Sequence, residues 1–278
     1  MSSGSIYTRK ARLEVLRRQI AKAASFSVRA EEMAPLGISE INACLNGGLL
    51  CGALHEIAAA DHRSQPAALG FLLALTQTAR KIREGQKQLQ TVDRQTLSLE
   101  SQPGEPGRHP RGALLWPVVK HANAFGLPYT PGLKFFGLEP SCILFVRCTN
   151  ERDCLWAMEE GLRLGGIAGV IGARAKTMDL TASRRLQLAA EQANTPVFLL
   201  RNYSDGAQSA AVTRWRISPA PSAHYEFGFF AYARWRVALE YARGGKTGEW
   251  VMEWNHDALS LRLSSALGDR AAGENRAA

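Results

Sequence analysis

One tripeptide in the chain has the residue types of a phosphate site. Gly245-Lys246-Thr247 matches the end of a phosphate-binding loop, but the first glycine of that motif would have to stand where Glu240 does. The segments on either side, RWRVALEY and EWVMEW, alternate polar and apolar residues. A working phosphate loop lies between a strand and a helix. We therefore predict that the tripeptide is the turn of a β-hairpin.

A second candidate for a phosphate site is the junction after the apolar segment from Ala53 to Ala60, where the sequence is AAADHRSQPAAL. This is the expected passage from a strand into a helix. It contains no glycine and no lysine, and Pro66 has no N–H group to offer a phosphate. His62 and Arg63 are able to hold an anion at the helix start, but a solvated surface loop is the interpretation that we favour. We predict that no nucleotide binds at this junction.

Nucleotide hydrolysis would also require carboxylates, one of them to hold magnesium. The apolar segment GIAGVIGA ends at Gly172 without an aspartate, and residues 111 to 138 contain no acidic residue. Glu159 and Glu160 are adjacent on a predicted helix, so they point in different directions and indicate a solvated face. We therefore predict no enzyme activity and no catalytic residue.

Cysteine and histidine spacing gives no metal site. None of the spacings matches a zinc motif. The residues concerned are Cys44, Cys51, His55 and His62. With five cysteines and no CxxC pair, a complete set of internal disulfides is impossible, so the sequence predicts reduced thiols, no metal and no cofactor.

The elements around these residues predict an α/β fold. Apolar strand candidates alternate with helical stretches, which favours a mostly parallel central sheet flanked by helices, followed by the C-terminal β-hairpin. The strands are predicted at Ala53 to Ala60, Ala113 to Val119, Cys142 to Cys148, Ile167 to Ala173 and Pro196 to Leu200. The helices are predicted from Pro66 to about Arg83, near 150–164 and at 181–194.

The chain has 278 residues, 46% of them hydrophobic and 21% charged, which suits one large globular domain with appendages. We predict that this domain spans residues 35–268. Residues 84–112 are rich in polar residues, Gly and Pro, which predicts a flexible insertion. Residues 269–278 are predicted to be a disordered tail. No signal peptide or membrane-spanning segment is evident, so we expect a cytoplasmic protein.

The net charge of +9 is concentrated near the start of the chain. Residues 1–34 are predicted to be a basic helix and a linker. On that helix a narrow apolar stripe with an adjacent arginine is our candidate for partner binding, while packing on its own domain remains the alternative. The candidate residues are Leu13, Leu16, Arg17 and Ile20.

A second basic group follows the strand that ends near Gly172. It consists of Arg174, Lys176, Arg184 and Arg185. Arginine and lysine bind phosphate without regard to sequence, so this group is a candidate for contact with DNA. No aromatic residue is interleaved with it for base stacking, and a solvated, partner-facing helix start is the interpretation that we favour.

Two separated segments resemble the RecA family. The first begins the compact unit and contains Leu36, Gly37, Ile38, Ile41, Leu45, Gly47, Gly48, Leu49, Gly52, His55, Glu56 and Ile57. The second is EYARGGKTGEWVMEW, which is similar to the late hairpin of that family. The resemblance implies a RecA-like core.

Within that superfamily the chain most resembles the ImuA family. The segments that carry the resemblance lie between Pro35 and Trp254, outside the insertion, and include LLWPVV, YTPGL, LEPSCILFVRCTN, LWAMEEGLR, TASRRLQLAAEQANTPVFLLR and RWRISPAPS. The SulA family of cell-division inhibitors resembles the same degenerate fold, but RRLQLAAE favours ImuA.

The ImuA resemblance implies a non-catalytic accessory or scaffold protein in error-prone translesion synthesis during the bacterial SOS response. It implies three partners: RecA, an ImuB-type polymerase-like protein and, through ImuB, an error-prone C-family DNA polymerase. Engagement with them would bring the chain to the nucleoid. The alternatives are a SulA-like inhibitor and a RecA-like ATPase or DNA-binding protein with a divergent nucleotide site.

Overall fold

The computed structural model describes residues 33–95, 112–119, 129–173, 178–201, 208–222 and 232–264, with side chains as far as residue 85 in the first range. Several predictions fall outside these residues. They are the N-terminal helix with Leu13, Leu16, Arg17 and Ile20, the loop residues Arg174 and Lys176, and the tail at 269–278.

The described chain forms two sheets. A small antiparallel pair joins β1 (Met33–Ala34) to β2 (Leu49–Leu50). The large sheet has nine strands among the described residues. They are β3 (Leu54–Ala59), β4 (Ala113–Val119), β5 (Ile143–Cys148), β6 (Ile167–Ala173), β7 (Val197–Arg201), β8 (Thr213–Pro219), β9 (Arg234–Ala242), β10 (Gly248–Asn255) and β11 (Ser260–Leu263).

The order across the large sheet is β11-β10-β9-β8-β3-β7-β6-β4-β5. Strands β3 to β8 pair in parallel, and β9, β10 and β11 continue the sheet in antiparallel pairs. The α/β class, the mostly parallel sheet and the C-terminal hairpin are therefore confirmed.

Helices cover both faces of the parallel half. They are α1 (Ser39–Cys44), α2 (Gln65–Gln95), α3 (Thr130–Phe135), α4 (Glu151–Leu164) and α5 (Leu180–Ala193). The long helix α2 packs on one face in a core with Phe71, Trp215 and Trp235, while α4 and α5 enclose a second core on the other face around Met158 and Leu186. Strands buried on both faces need continuous apolar runs, which is why these strands were recognisable in the sequence.

Side chains define the starts of α4 and α5. Asn150 accepts a hydrogen bond from the Asp153 N–H at 3.0 Å, and Asp179 accepts one from the Ala182 N–H at 2.6 Å. Each side chain satisfies one of the N–H groups that a helix leaves without an internal partner. The far end of α5 stops at Asn194, which has the left-handed conformation (φ 44°, ψ 48°) common at such positions.

Helix α2 is longer than the sequence indicated. It continues to Gln95, past the end predicted near Arg83 and into the segment predicted to be a flexible insertion. Residues 84–95 contain Gln, Lys and Leu, which favour a helix even without an apolar stripe. Within the described part of the chain, no helix is both long enough and apolar enough to cross a membrane.

Candidate functional site

The junction between β3 and α2 leads from a strand into a long helix, and it is capped by a carboxylate of its own. Asp61 follows β3, and one carboxylate oxygen accepts hydrogen bonds from the N–H and the hydroxyl of Ser64, both at 2.8 Å. Residues His62–Ser64 form a single 3-10 turn that leads directly into α2 at Gln65. These bonds hold the pKa of Asp61 below its usual value. A negative charge thus stands where a helix start would receive a phosphate.

Behind the junction, β3 is held by a buried histidine. The His55 Nε2 lies 2.9 Å from the Leu50 carbonyl oxygen, so this nitrogen carries the proton and donates. The Nδ1 then accepts from the Thr213 hydroxyl at 2.8 Å, and the Trp215 indole N–H donates to the same hydroxyl oxygen at 2.8 Å. Burial lowers the pKa of His55 to about 4. The ring is therefore neutral and has a structural role.

The other face of β3 carries a buried charge cluster. Glu56 is 2% exposed and accepts hydrogen bonds from the Arg201 guanidinium at 2.6 Å and the Ser209 hydroxyl at 2.5 Å. The Nε of Arg214 lies 3.6 Å from the same carboxylate. This cluster ties β3 to the end of β7, to the residues that precede β8 and to the start of β8 itself. Sequence reasoning missed it, because its members are far apart along the chain.

The Gly-Lys-Thr tripeptide is the hairpin turn that the sequence predicted. It docks on the end of α1: the Lys246 N–H donates to the Cys44 carbonyl oxygen at 2.9 Å, and the Asn46 side-chain amide donates to the Gly244 carbonyl oxygen at 2.6 Å. A Cβ atom at Gly245 would overlap the Cys44 main chain. The main-chain donor of Lys246 is thus used within the fold, at one of the carbonyls that a helix end leaves open.

Arg184 and Arg185 are both exposed on α5, but they have different surroundings. Arg185 donates to the Glu159 carboxylate of α4 at 2.5 Å, and the side chain of Glu159 is only 4% exposed. The prediction that Glu159 belongs to a solvated face was therefore wrong, because α5 packs beside α4 and covers it. Glu160 is half-buried and pairs with Arg163 on its own helix. Arg184 makes no ion pair with any described residue.

The outer surface of α5 also contains a shallow groove of about 240 Å³. The described residues that line it are Leu180, Thr181, Arg184, Arg185 and Leu188. The two leucines are 46% and 49% exposed. The sequence indicated the two arginines as a contact surface but not the leucines, since apolar residues on a helix are expected to face the core.

The described residues contain no group of three or more His, Cys, Asp or Glu side chains placed to hold a metal ion. All five cysteines lie in the described ranges and none of them forms a disulfide bond; three of them are buried: Cys51, Cys148 and Cys154.

No protein-family model matches the chain. It is similar to two curated proteins, both named Protein ImuA. The one from Caulobacter vibrioides strain NA1000 / CB15N is 36% identical over 173 residues, which cover 57% of this chain and 68% of that protein. The one from Caulobacter vibrioides strain ATCC 19089 / CIP 103742 / CB 15 matches to the same extent.

Proposed function

Because this chain belongs to the ImuA family, we propose that it is a non-catalytic accessory protein of damage-induced, error-prone translesion DNA synthesis. In this role it bridges RecA and an ImuB-type polymerase-like protein and, through the latter, an error-prone C-family polymerase. It works in the cytoplasm and joins the nucleoid when its partners are bound there.

The observation that carries the proposal is the capped junction after β3. A phosphate group at a helix start is held by main-chain N–H groups, glycines that let it approach and a lysine that neutralises it. Here the Ser64 N–H already donates to Asp61, and the carboxylate of Asp61 would repel a phosphate. A fold with this junction is expected to act through its surfaces.

A second observation supports binding over catalysis. The two titratable side chains of β3 are enclosed: Glu56 accepts hydrogen bonds from Arg201 and Ser209, and His55 is neutral with both ring nitrogens hydrogen-bonded. A general acid or base has to reach a substrate proton. Neither residue is exposed to do so.

The partner proposal is tested by affinity purification of the full chain from cells with damaged DNA, followed by reconstitution with purified RecA and the ImuB-type protein of the same cells. We expect both proteins to co-elute and to bind directly. If neither purified protein binds the chain, the accessory role is wrong. A cell-division protein as the direct partner would support a SulA-like role instead.

The non-catalytic proposal is tested by equilibrium titration with a fluorescent ATP analogue and magnesium, and by a phosphate-release assay. We expect no saturable binding at micromolar nucleotide and no turnover. Micromolar affinity, or any turnover lost on substitution of junction residues, would establish a divergent ATPase.

The candidate surface at the chain start is tested by deleting residues 1–30. If Leu13, Leu16, Arg17 and Ile20 bind a partner, the truncated chain folds and loses partner affinity. A truncated chain that fails to fold would show that these residues pack on their own domain.

A further inference from the structure

The exposed side of α5 carries one continuous row of three side chains. Leu180, Arg184 and Leu188 are four residues apart in turn, which places them on one side of the helix with about 6 Å of rise between neighbours. The leucines are 46% and 49% exposed, although α5 has a complete inner face that packs on the sheet. The outward row is therefore apolar, cationic and apolar.

The cation in the middle of this row is available to a partner. Arg184 is exposed and forms no ion pair with any described residue, whereas its neighbour Arg185 is held by Glu159 on α4. The two arginines therefore have different roles: Arg185 joins α5 to α4, and Arg184 presents between two leucines a guanidinium that is unpaired among the described residues.

The groove fits a protein better than a nucleic acid. A phosphate backbone would pair with Arg184 but would leave Leu180 and Leu188 in contact with a charged, hydrated chain. Single-strand binding surfaces use aromatic side chains for base stacking, and none of the described residues that line the groove is aromatic. A helix with apolar side chains on either side of an acid would satisfy all three members of the row.

We propose that this row, Leu180, Arg184 and Leu188, is a docking site for an amphipathic helix of a partner protein, in which an acidic residue is flanked by large apolar residues four positions before and after it. Rows spaced by four residues interlock when two helices pack at their commonest crossing angle. When a helix binds in a groove, apolar side chains at this spacing anchor it, and a charge pair between them selects the partner and its register. The inference rests on the proposed function, in which the chain acts by binding proteins.

The test uses the full chain and two fluorescein-labelled helical peptides on the same alanine- and glutamine-rich background. One has Leu, Glu and Leu at four-residue spacing, and the other has Lys in place of Glu. Fluorescence anisotropy is expected to show that the Glu peptide binds at least about tenfold more tightly than the Lys peptide. A fluorescein-labelled single-stranded oligonucleotide of thymidine serves as the nucleic-acid probe.

Two variants locate the binding. Arg184→Glu is expected to reverse the preference, so that the Lys peptide becomes the tighter ligand, an exchange that a merely structural role of Arg184 would not produce. Leu188→Ala is expected to weaken the Glu peptide about tenfold through lost apolar contact. The matched controls are Arg236→Glu, an exposed arginine of β9 outside the groove, and Leu164→Ala, a leucine that is 85% exposed at the end of α4. Both controls should bind as the unmodified chain does.

Equal binding of the two peptides, or an unchanged preference in Arg184→Glu, would refute the docking site. The site would also be refuted if neither peptide bound and the oligonucleotide bound in a way that Arg184→Glu abolished, because the row would then contact nucleic acid. These outcomes are separable from the proposed function. A chain that binds RecA and the ImuB-type protein equally well with and without Arg184→Glu retains its function and loses only this site.

Discussion

The junction between β3 and α2 and the hairpin turn at Gly245 each have half of what a phosphate site needs. The junction has the position, at the end of a buried parallel strand and the start of a long helix, but its capping group is the carboxylate of Asp61. The turn has the residues, but its Lys246 N–H donates to the Cys44 carbonyl. Residue types make a site only where their donors are unoccupied and converge on one point.

The largest effect is expected on β3, the strand that leads into the junction. Acid should lower the free energy of unfolding, because His55 is buried in its neutral form. His55 has a pKa near 4 in the folded chain and 6.5 when exposed, so the unfolded chain binds more protons between these values. The contribution of His55 to the free energy of unfolding is therefore complete above pH 6.5 and is lost towards pH 4, by about 3 kcal/mol in total. Urea unfolding measured from pH 7.5 to 4 tests this.

The matched variants for this prediction are His55→Gln, which should lack the loss between pH 6.5 and 4, and His256→Gln, which should retain it. His256 is 40% exposed. If His55→Gln does not fold, an NMR titration of the native His55 ring answers the same question. A ring that titrates near pH 6.5 would contradict the buried network.

The comparison between junction and turn would fail if the hairpin turn did not dock on the end of α1. Gly245→Ala places a Cβ against the Cys44 main chain, which cannot move aside as a flexible side chain can. We expect a loss of about 2 kcal/mol in the free energy of unfolding, measured with urea. Gly85→Ala is the control, because nothing lies within 4 Å of its added Cβ and alanine favours a helix. Equal stability of both variants would show that the turn does not dock.

A smaller effect is expected at the cap of the junction. Asp61→Ala removes the acceptor for both Ser64 bonds and should lower the melting temperature, while Asp61→Asn keeps an acceptor and should lower it less. Because the folded pKa is below 3.8, the carboxylate contributes stability at neutral pH that is lost as the pH falls through the folded pKa. Differential scanning calorimetry at pH 7 and pH 3 measures both effects. An unchanged melting temperature in Asp61→Ala would mean that the cap is unimportant.

The smallest effect belongs to the lysine of the turn. Lys246 is exposed, and its bond to Cys44 comes from the main chain. Lys246→Ala should therefore change the free energy of unfolding by less than about 0.5 kcal/mol and leave nucleotide titrations as they were. A nucleotide affinity that depends on Lys246 would overturn the assignment of this tripeptide as a turn.

Much of the fold was predictable because the central strands are buried on both faces. Ala113–Val119 and Ile167–Ala173 were predicted with the bounds that the structure shows, since each is a continuous apolar run. Strand β8 was not predicted, because TRWRISP alternates apolar residues with arginines and ends in proline. The four residues of β11 are too few to be recognised without the partner strand β10.

The candidate site was less predictable than the fold. The sequence indicated Arg184 and Arg185 together, but only the packing of α5 beside α4 assigns Arg185 to Glu159 and leaves Arg184 exposed between two leucines. Arg174 and Lys176, the other members of that basic group, lie outside the described residues.

The sequence by itself determined what the β3–α2 junction lacks, because missing glycines and a missing lysine are properties of composition and spacing. A local contact takes their place, the cap that Asp61 forms with Ser64. Only the tertiary structure decided the Glu56 cluster and the docking of the hairpin turn on α1. The cluster and the docking join residues far apart in the chain, and such contacts depend on which strands become neighbours. The order of strands in a sheet is set by packing of the whole domain rather than by any local pattern.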